Sequence, residues 1–297
     1  HCEEYNDFYF RLFIFHMTKP FVSIITPSYN QAEYIEETLQ SVKNQEYNKV
    51  EHIVIDGDST DNTTEILKEY QNQYDLRWVS EPDEGQADAI NKGFSLAKGN
   101  ILGWLNSDDV YLSESTVSTA VNALIEYPQA DIVNGRGIRL KKDGRWDHPI
   151  KRRDHKLSHS GLKQIASVLQ PATFWYRYVW EEVGINSELE YTFDWEFFIR
   201  ATEEYNLIPI PDYIIGYRWQ GENKTTTGGL PRAREIRDVT GEYLGQDSWQ
   251  YQLLCIYCGI YSLSRVMPNP IQKYIENKLT FISNIISYLT LKQISGI

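Results

Sequence analysis

From residue 21 onward, short apolar runs alternate with segments of helical periodicity. "FVSIIT" (21–26), "VEHIVID" (50–56), "LRWVS" (76–80) and "NILGWLN" (100–106) read as buried strands. Between them, "AEYIEETLQSVKNQ" puts Ile35, Leu39 and Val42 at helical spacing, and "TTEILKEYQ" is a helix that Thr60 or Asp61 can cap. "EGQADAINKGFSLAKG" reads as a third helix, ending at Gly99 as its C′ residue. Strand and helix joined this tightly predict βαβ units, and so an α/β fold built on a Rossmann-like, mainly parallel sheet flanked by helices.

Ligands of such sheets bind beyond the carboxyl ends of the strands. Four polar segments lie at those ends here: "TPSYN", "DGDSTD", "SEPDEG" and "NSDD". They converge on one edge, which marks a candidate site.

Past residue 130 the alternation weakens. "ADIVNGRGIRL" reads as a strand pair, "GRWDHPIKRRDHK" as a charged loop and "LQPATFWYR" as a strand. "FDWEFFIRATEEYN" is an amphipathic helix with Phe197, Phe198 and Ala201 inward, and "LIPIPDYIIGYRW" gives two short strand signals. From Ser248 the pattern is helical. We expect one domain over 17–225 with a helical C-terminal appendage over 226–297. Residues 1–16, ahead of Met17, are expected to be a non-native extension without signal-peptide features.

The 297 residues carry a formal net charge of −12, a sign that repels phosphate backbones and argues against nucleic-acid binding. It still permits an anionic small ligand, neutralised locally by a metal or a helix N-terminus. Three cysteines make no disulfide framework, and we expect a reducing, cytoplasmic setting. "CIYC" lies in the apolar run "YQLLCIYCGIYSL" and reads as core packing. No stretch reaches about 18 apolar residues, so no spanning helix is expected. The tail can pack on the core, on a second copy or at a membrane face; its sparse lysines favour core or partner packing.

Asp108 and Asp109, beside Asn106 and Ser107, close the fourth strand with paired acids that repel one another. A divalent cation, Mg²⁺ or Mn²⁺, offsets that repulsion with hard oxygen ligands; the plain alternative is that the pair caps the following helix. Asp88, Asn91 and Lys92 share a helix face, where Lys92 can reach a phosphate or simply pair with Asp88. Asp194 and Glu196 begin a helix, as a dipole complement or as a base near the crevice. "DGDSTDNTTEIL" fails as an EF-hand, with Asp61 where Gly is needed and Leu67 where Glu is needed. Phosphate-binding glycine motifs, G-x-S-x-G and H-E-x-x-H are absent from the sequence. "NTT" (62–64) and "NKT" (223–225) match the N-glycosylation pattern but are expected unmodified.

Taken in order, "VSIITPSYNQAEYIEETLQSVKNQ", "HIVIDGDSTDNTTEIL", "SEPDEGQADAINKGFSLAKGNILGWLNSDD" and "TFDWEFFIR" resemble family 2 glycosyltransferases of the GT-A fold, over about residues 20–220. The resemblance implies an inverting, metal-assisted transfer from a nucleotide-sugar, with a UDP-sugar as the expected donor. A surface polysaccharide or lipid-linked glycan is the expected acceptor. Residue by residue, Pro27, Tyr29 and Asn30 match the loop against the donor's nucleotide, and Asp56 the acid at the nucleobase. Lys92, after Asp88, falls near the diphosphate, and Asp108 matches the metal-ligating acid, with Asp109 its neighbour. Gln170, Pro171 and Thr173 match a stretch near the acceptor, where Glu196 also belongs, and Asp194 the general base. Arg218 falls where a late loop closes over the diphosphate. Asn106 replaces the first acid of the usual D-x-D signature, and "DGDS" displaces the second acid of the usual "DDGS". The rivals are a nucleotidyltransferase, for which "TPSYNQAEY" lacks the Gly-rich loop, and a catalytically inactive nucleotide- or carbohydrate-binding domain.

Overall fold

The computed structural model describes residues 19–221 and 227–265, with 267, 269–272, 274, 275 and 278. The expected N-terminal extension, the 223–225 glycosylation pattern and the far end of the tail lie outside the described residues.

The first four strands are β1 (Val22–Ser28), β2 (Val50–Asp56), β3 (Leu76–Ser80) and β4 (Ile101–Trp104). They are parallel in the order β3-β2-β1-β4. Helices α1 (Ile35–Lys43), α2 (Thr63–Tyr70) and α3 (Gln86–Leu96) make the crossovers. Register sets Ser28, Asp56 and Ser80 side by side, so the loops after β1, β2 and β3 leave the sheet level with one another.

Several features differ from expectation. Asn62, not Thr60 or Asp61, holds the cap position of α2, and its side chain makes no cap hydrogen bond. Helix α3 stops at Leu96, with Ala97 extended, so Gly99 is not its C′ residue. Gly99 instead abuts β1: an added Cβ would sit 2.4 Å from the Ser23 backbone nitrogen. "ADIVNGRGIRL" forms a single strand, β6 (Ile132–Leu140). "LIPIPDYIIGYRW" likewise forms one strand, β9 (Leu207–Arg218), whose register against β6 shifts around Arg136. Glycines and prolines there are absorbed by irregular register rather than by turns. The charged loop contains the short β7 (Trp146–Pro149), paired with β6.

Beyond β4 the sheet is mixed. β8 (Thr173–Tyr176) runs antiparallel to β4, β6 antiparallel to β8, β9 parallel to β6, and β5 (Val110–Tyr111) antiparallel to β9. The alternating side chains of β1 and β2 feed cores on both faces. Ile25, Ile53 and Ile55 pack with Ile90 and Phe94 of α3 and with Phe197 and Phe198 of α7 (Phe193–Glu204). On the other face Val22 and Ile24 pack with Val117, Val121 and Leu124 of α4 (Thr116–Glu126), while Val54 packs with Leu39 and Leu67.

Two shorter helices, α5 (His159–Leu162) and α6 (Arg177–Val183), precede α7. The C-terminal pair is α8 (Gly229–Leu244) and α9 (Trp249–Ser264), the latter capped by the Ser248 hydroxyl, which accepts the Tyr251 amide. Cys258 is buried against Leu230 and Ala233 of α8, which makes "CIYC" packing. Val239 joins α8 to the α7 core. Among the described residues no helix is long and apolar enough to cross a membrane.

Candidate active site

A cleft of about 570 Å³ opens at the carboxyl edge of the parallel strands, within the size range of small-ligand sites. Three of the four strand ends contribute to it: Pro27 and Ser28 at the end of β1 with Tyr29 and Gln31 beyond it, Asp83 and Gly85 after β3, and Asn106, Ser107 and Asp108 after β4. The loop after β2 does not line the cleft and instead braces the β1 loop, through Ser59 and Thr60 against Asn30. The opposite wall comes from Gln170 and Pro171 ahead of β8, and from Glu190, Tyr191 and Asp194 around the start of α7. Trp104 and Phe193, stacked at 5.5 Å and 16°, join the two walls.

The paired acids divide their work. Asp109 is fully buried, accepting the Arg218 amide (2.9 Å) and Asn106 Nδ2 (3.0 Å). Burial, and then the neighbouring Asp108 charge, push its carboxyl well above the usual range. The pair does not cap α4; β5 intervenes and Ser115 occupies the cap position. Asp108 faces the cleft and accepts Gln220 Nε2 at 2.7 Å; burial raises its carboxyl too. The Gln220 amide and the Arg218 charge offset only part of that burial, so a carboxylate so placed gains from further positive charge.

Arg218, which the resemblance puts over the diphosphate, is buried beneath this turn at the end of β9. Its guanidinium donates to Asp108 O (2.9 Å), Lys142 O (3.0 Å) and Glu37 Oε2 (2.6 Å). It shapes the turn that presents Asp108.

Asp194 stands in the first turn of α7 and accepts its neighbour Trp195's amide at 2.8 Å. Burial raises its carboxyl, while the Trp195 N–H and the Arg232 charge pull the other way. A carboxyl with raised proton affinity at a cleft wall suits a base.

Pro27, Tyr29, Asn106, Ser107, Asp108, Gln170, Pro171 and Asp194 thus meet on one cleft, and the other expected residues stand behind it or away from it. Asp56 is fully buried, its carboxylate accepting the Ser59 amide and hydroxyl and the Ser80 hydroxyl. Asn30 adopts φ +52° and accepts the Thr60 amide at 2.9 Å, tying the first loop to the second. Lys92 pairs with Asp88 (3.1 Å) and Glu81 (3.3 Å), the surface pairing that spacing allowed. Asn91 turns instead toward the Ile185 carbonyl. Thr173 is buried and donates to Leu169 O. Glu196 binds Arg200 and Tyr243, away from the cleft.

Sequence reasoning did not single out Asp83, Gln86, Trp104, Glu190, Tyr191, Tyr217 or Gln220, all of which line the cleft. The loop "SEPDEG" signalled Asp83; residues 190 and 191, brought in by the turn before α7, carried no sequence signal. Ser28 Oγ and Gln31 Oε1 are buried at the cleft without a hydrogen-bond partner among the described residues. Orphaned polar atoms on a cleft wall are what a hydrogen-bonding ligand satisfies.

The sequence profile of Glycosyl transferase family 2 matches residues 23–183, more than half of the chain. An uncharacterised glycosyltransferase of Mycobacterium tuberculosis is 41% identical over 106 residues, 35% of this chain and 40% of that protein. TuaG of Bacillus subtilis, a glycosyltransferase named for teichuronic acid biosynthesis, is 43% identical over 93 residues, 31% of this chain and 37% of that protein. The chain therefore spans only about two fifths of the length of these relatives. Among solved structures, S. aureus TarS 1–349 in complex with UDP-GlcNAc superposes with a TM-score of 0.61 at 19% identity, covering 84% of this chain and 82% of that one. The mannosyltransferase PcManGT of Pyrobaculum calidifontis, in complex with GDP-Man and Mn²⁺, gives 0.59 at 17% identity, covering 99% and 88%. At those identities the likeness establishes the fold, a GT-A-like sheet with flanking helices. Fold and site together define a GT-A-like architecture with a cleft at the strand ends. The chain belongs to glycosyl transferase family 2.

Proposed function

We propose that this protein is an inverting glycosyltransferase that moves a sugar from a nucleotide-sugar, a UDP-sugar in our reading, onto an acceptor hydroxyl. The observation that carries the reading is that Asp108 and Asp194 line the same cleft, from strand end and helix start respectively. The first loop, with Tyr29 and the orphaned Ser28 and Gln31 atoms, receives the nucleotide. Asp56 and Asn30 keep that loop in place.

Asp108 fits a hard divalent cation, Mn²⁺ or Mg²⁺. One cleft-facing carboxylate is the protein share such ions accept when diphosphate oxygens complete the shell; the described residues hold no cluster of three or more His, Cys, Asp or Glu that could hold a metal unaided. Bound there, the cation supplies positive charge against the negative charge that develops on the departing diphosphate. Asp109 and Arg218 fix the turn that presents Asp108. Gln170 and Pro171 shape the acceptor side of the cleft.

Asp194 takes the proton from the acceptor hydroxyl as its oxygen bonds to the anomeric carbon. The bond from that carbon to the diphosphate oxygen breaks in the same displacement, and the nucleoside diphosphate leaves. One displacement inverts the centre. Residues 17–225 are read as the transferase domain and 226–297 as its helical appendage. The acceptor is read as a surface polysaccharide or lipid-linked glycan, built at the cytoplasmic face. Ile256, Ile260 and Leu263, exposed on α9 at helical spacing, are the tail's contact surface for a second copy or a membrane face.

Asp194→Asn tests the reading. Donor turnover should fall about 10²–10⁴-fold, the usual worth of a positioned base, while nucleoside-diphosphate affinity stays within about two-fold. A wild-type protein that binds a nucleotide yet turns over no nucleotide-sugar would leave an inactive binding domain in its place.

A further inference from the structure

The residues ahead of α7 carry the wall on which Asp194 stands, and they are held by a side chain from outside the family match. Glu235, on α8, accepts four hydrogen bonds from three consecutive residues. Its Oε1 takes the amides of Tyr191 (2.7 Å) and Thr192 (2.6 Å) and the Thr192 hydroxyl (2.7 Å). Its Oε2 takes the Glu190 amide at 2.9 Å. Thr192 is the cap position of α7, yet its own side chain caps nothing there; the hydroxyl is spent on Glu235. A carboxylate collecting amides at a helix start makes charge-assisted bonds and complements the helix dipole.

Two further contacts bind the same helix to the same wall. The Tyr243 hydroxyl, two turns beyond Glu235, donates to Glu196 Oε1 at 2.9 Å. Just before α8, Gly228 lies so close to Tyr191 that an added Cβ would fall 2.7 Å from the ring. Glu190, Tyr191, Phe193 and Asp194 all line the cleft. The α8 helix therefore determines where that wall stands.

We propose that Glu235 is a positioning residue for the transfer reaction: it fixes the 190–192 segment, and through it the base Asp194 and the acceptor side of the cleft. This rests on the transferase reading above. The C-terminal helical pair is then a working part of the site rather than a separate attachment.

Charge provides a second readout. Glu235 raises the Asp194 carboxyl and Arg232, also on α8, lowers it, both acting behind the larger effect of burial. Glu190, Tyr217 and Asp108 also line the cleft, and Trp195 donates its amide to Asp194. Glu235→Gln should move the acid limb of the rate profile to lower pH, and Arg232→Gln should move it to higher pH.

The experiment compares wild type, Glu235→Ala and Glu235→Gln as full chains. The first readout is amide hydrogen exchange in the absence of nucleotide. In Glu235→Ala, residues 190–195 should exchange at least about ten-fold faster while β1 and β2 are unchanged. The second is Mn²⁺-supported hydrolysis of UDP-N-acetylglucosamine and GDP-mannose, with water as acceptor. For the donor that is turned over, kcat should fall about ten-fold or more in Glu235→Ala with donor KM within about two-fold. Glu235→Gln, which keeps the Oε1 acceptor and loses the Oε2 one, should lie between. Unchanged exchange at 190–195, or faster exchange with unaltered kcat, overturns the inference. Loss of kcat in step with a rise in donor KM also overturns it, since that reports general loosening. Wild type without turnover of any nucleotide-sugar defeats the transferase reading itself, leaving no base to position.

Discussion

Asp194 and His52 show how burial assigns opposite fates to titratable groups. Burial raises the Asp194 carboxyl, and the base we propose it to be works only while ionised. Turnover should therefore fall, as pH is lowered, at a pH above the ordinary aspartate range; a pH profile of kcat/KM for the donor checks this. His52 is fully buried in β2 between the Thr26 hydroxyl (2.9 Å) and the Tyr74 hydroxyl (2.8 Å), and burial drives its pKa from 6.5 down to about 3. The unfolded chain thus binds a proton below pH 6.5 that the folded one refuses. Stability contributed by neutral His52 is whole above pH 6.5 and is lost as pH falls toward 3, with a slope of up to about 1.4 kcal/mol per pH unit. His52→Gln should flatten that slope in denaturant unfolding measured between pH 6.5 and 4. An unaltered slope would mean that the histidine titrates normally in the fold.

At the scale of elements, the site depends on strand ends being level and connections being tight. The join between α3 and β4 is the clearest case, because Gly99 passes 2.4 Å, in Cβ terms, from the Ser23 nitrogen and donates its own amide to the Ser23 hydroxyl at 2.7 Å. Gly99→Ala forces β4 away from β1, and overpacking of this kind against backbone costs about 3 kcal/mol. Urea unfolding should show a lower midpoint by that amount with an unchanged slope. The strands β1 to β4 and the helices α1 to α3 were legible in sequence because a buried parallel strand is a short continuous apolar run and a surface helix has a striped one. Long irregular strands were not. In β6 and β9, Gly135, Gly137, Pro209 and Pro211 carry turn chemistry, and only neighbouring strands decide that the chain continues straight through them.

At the scale of the whole molecule, three of the four strand-end loops meet at the cleft while the loop after β2 stands behind the first, and the acids are separable only in three dimensions. Asp108 and Asp109 are adjacent and chemically identical, yet one faces the cleft and the other is consumed by Arg218 and Asn106. Spacing cannot distinguish them, since the choice depends on a residue about 110 positions away. The Glu190–Tyr191 wall was invisible for the same reason: its place is set by α8. The net charge of −12, with acids clustered at the cleft, makes an anionic donor welcome only where positive charge is brought with it.

The most direct test is thermal unfolding of the wild type and of Asp108→Asn with UDP, GDP, CDP and TDP, each with and without Mn²⁺. One nucleotide should stabilise the wild type in a Mn²⁺-dependent way, by about 2.7 kcal/mol when present at about 100 times its Kd. The Mn²⁺-dependent part should vanish in Asp108→Asn. Folded wild type that none of the four nucleotides stabilises, with or without Mn²⁺, would contradict a nucleotide-sugar site in this cleft.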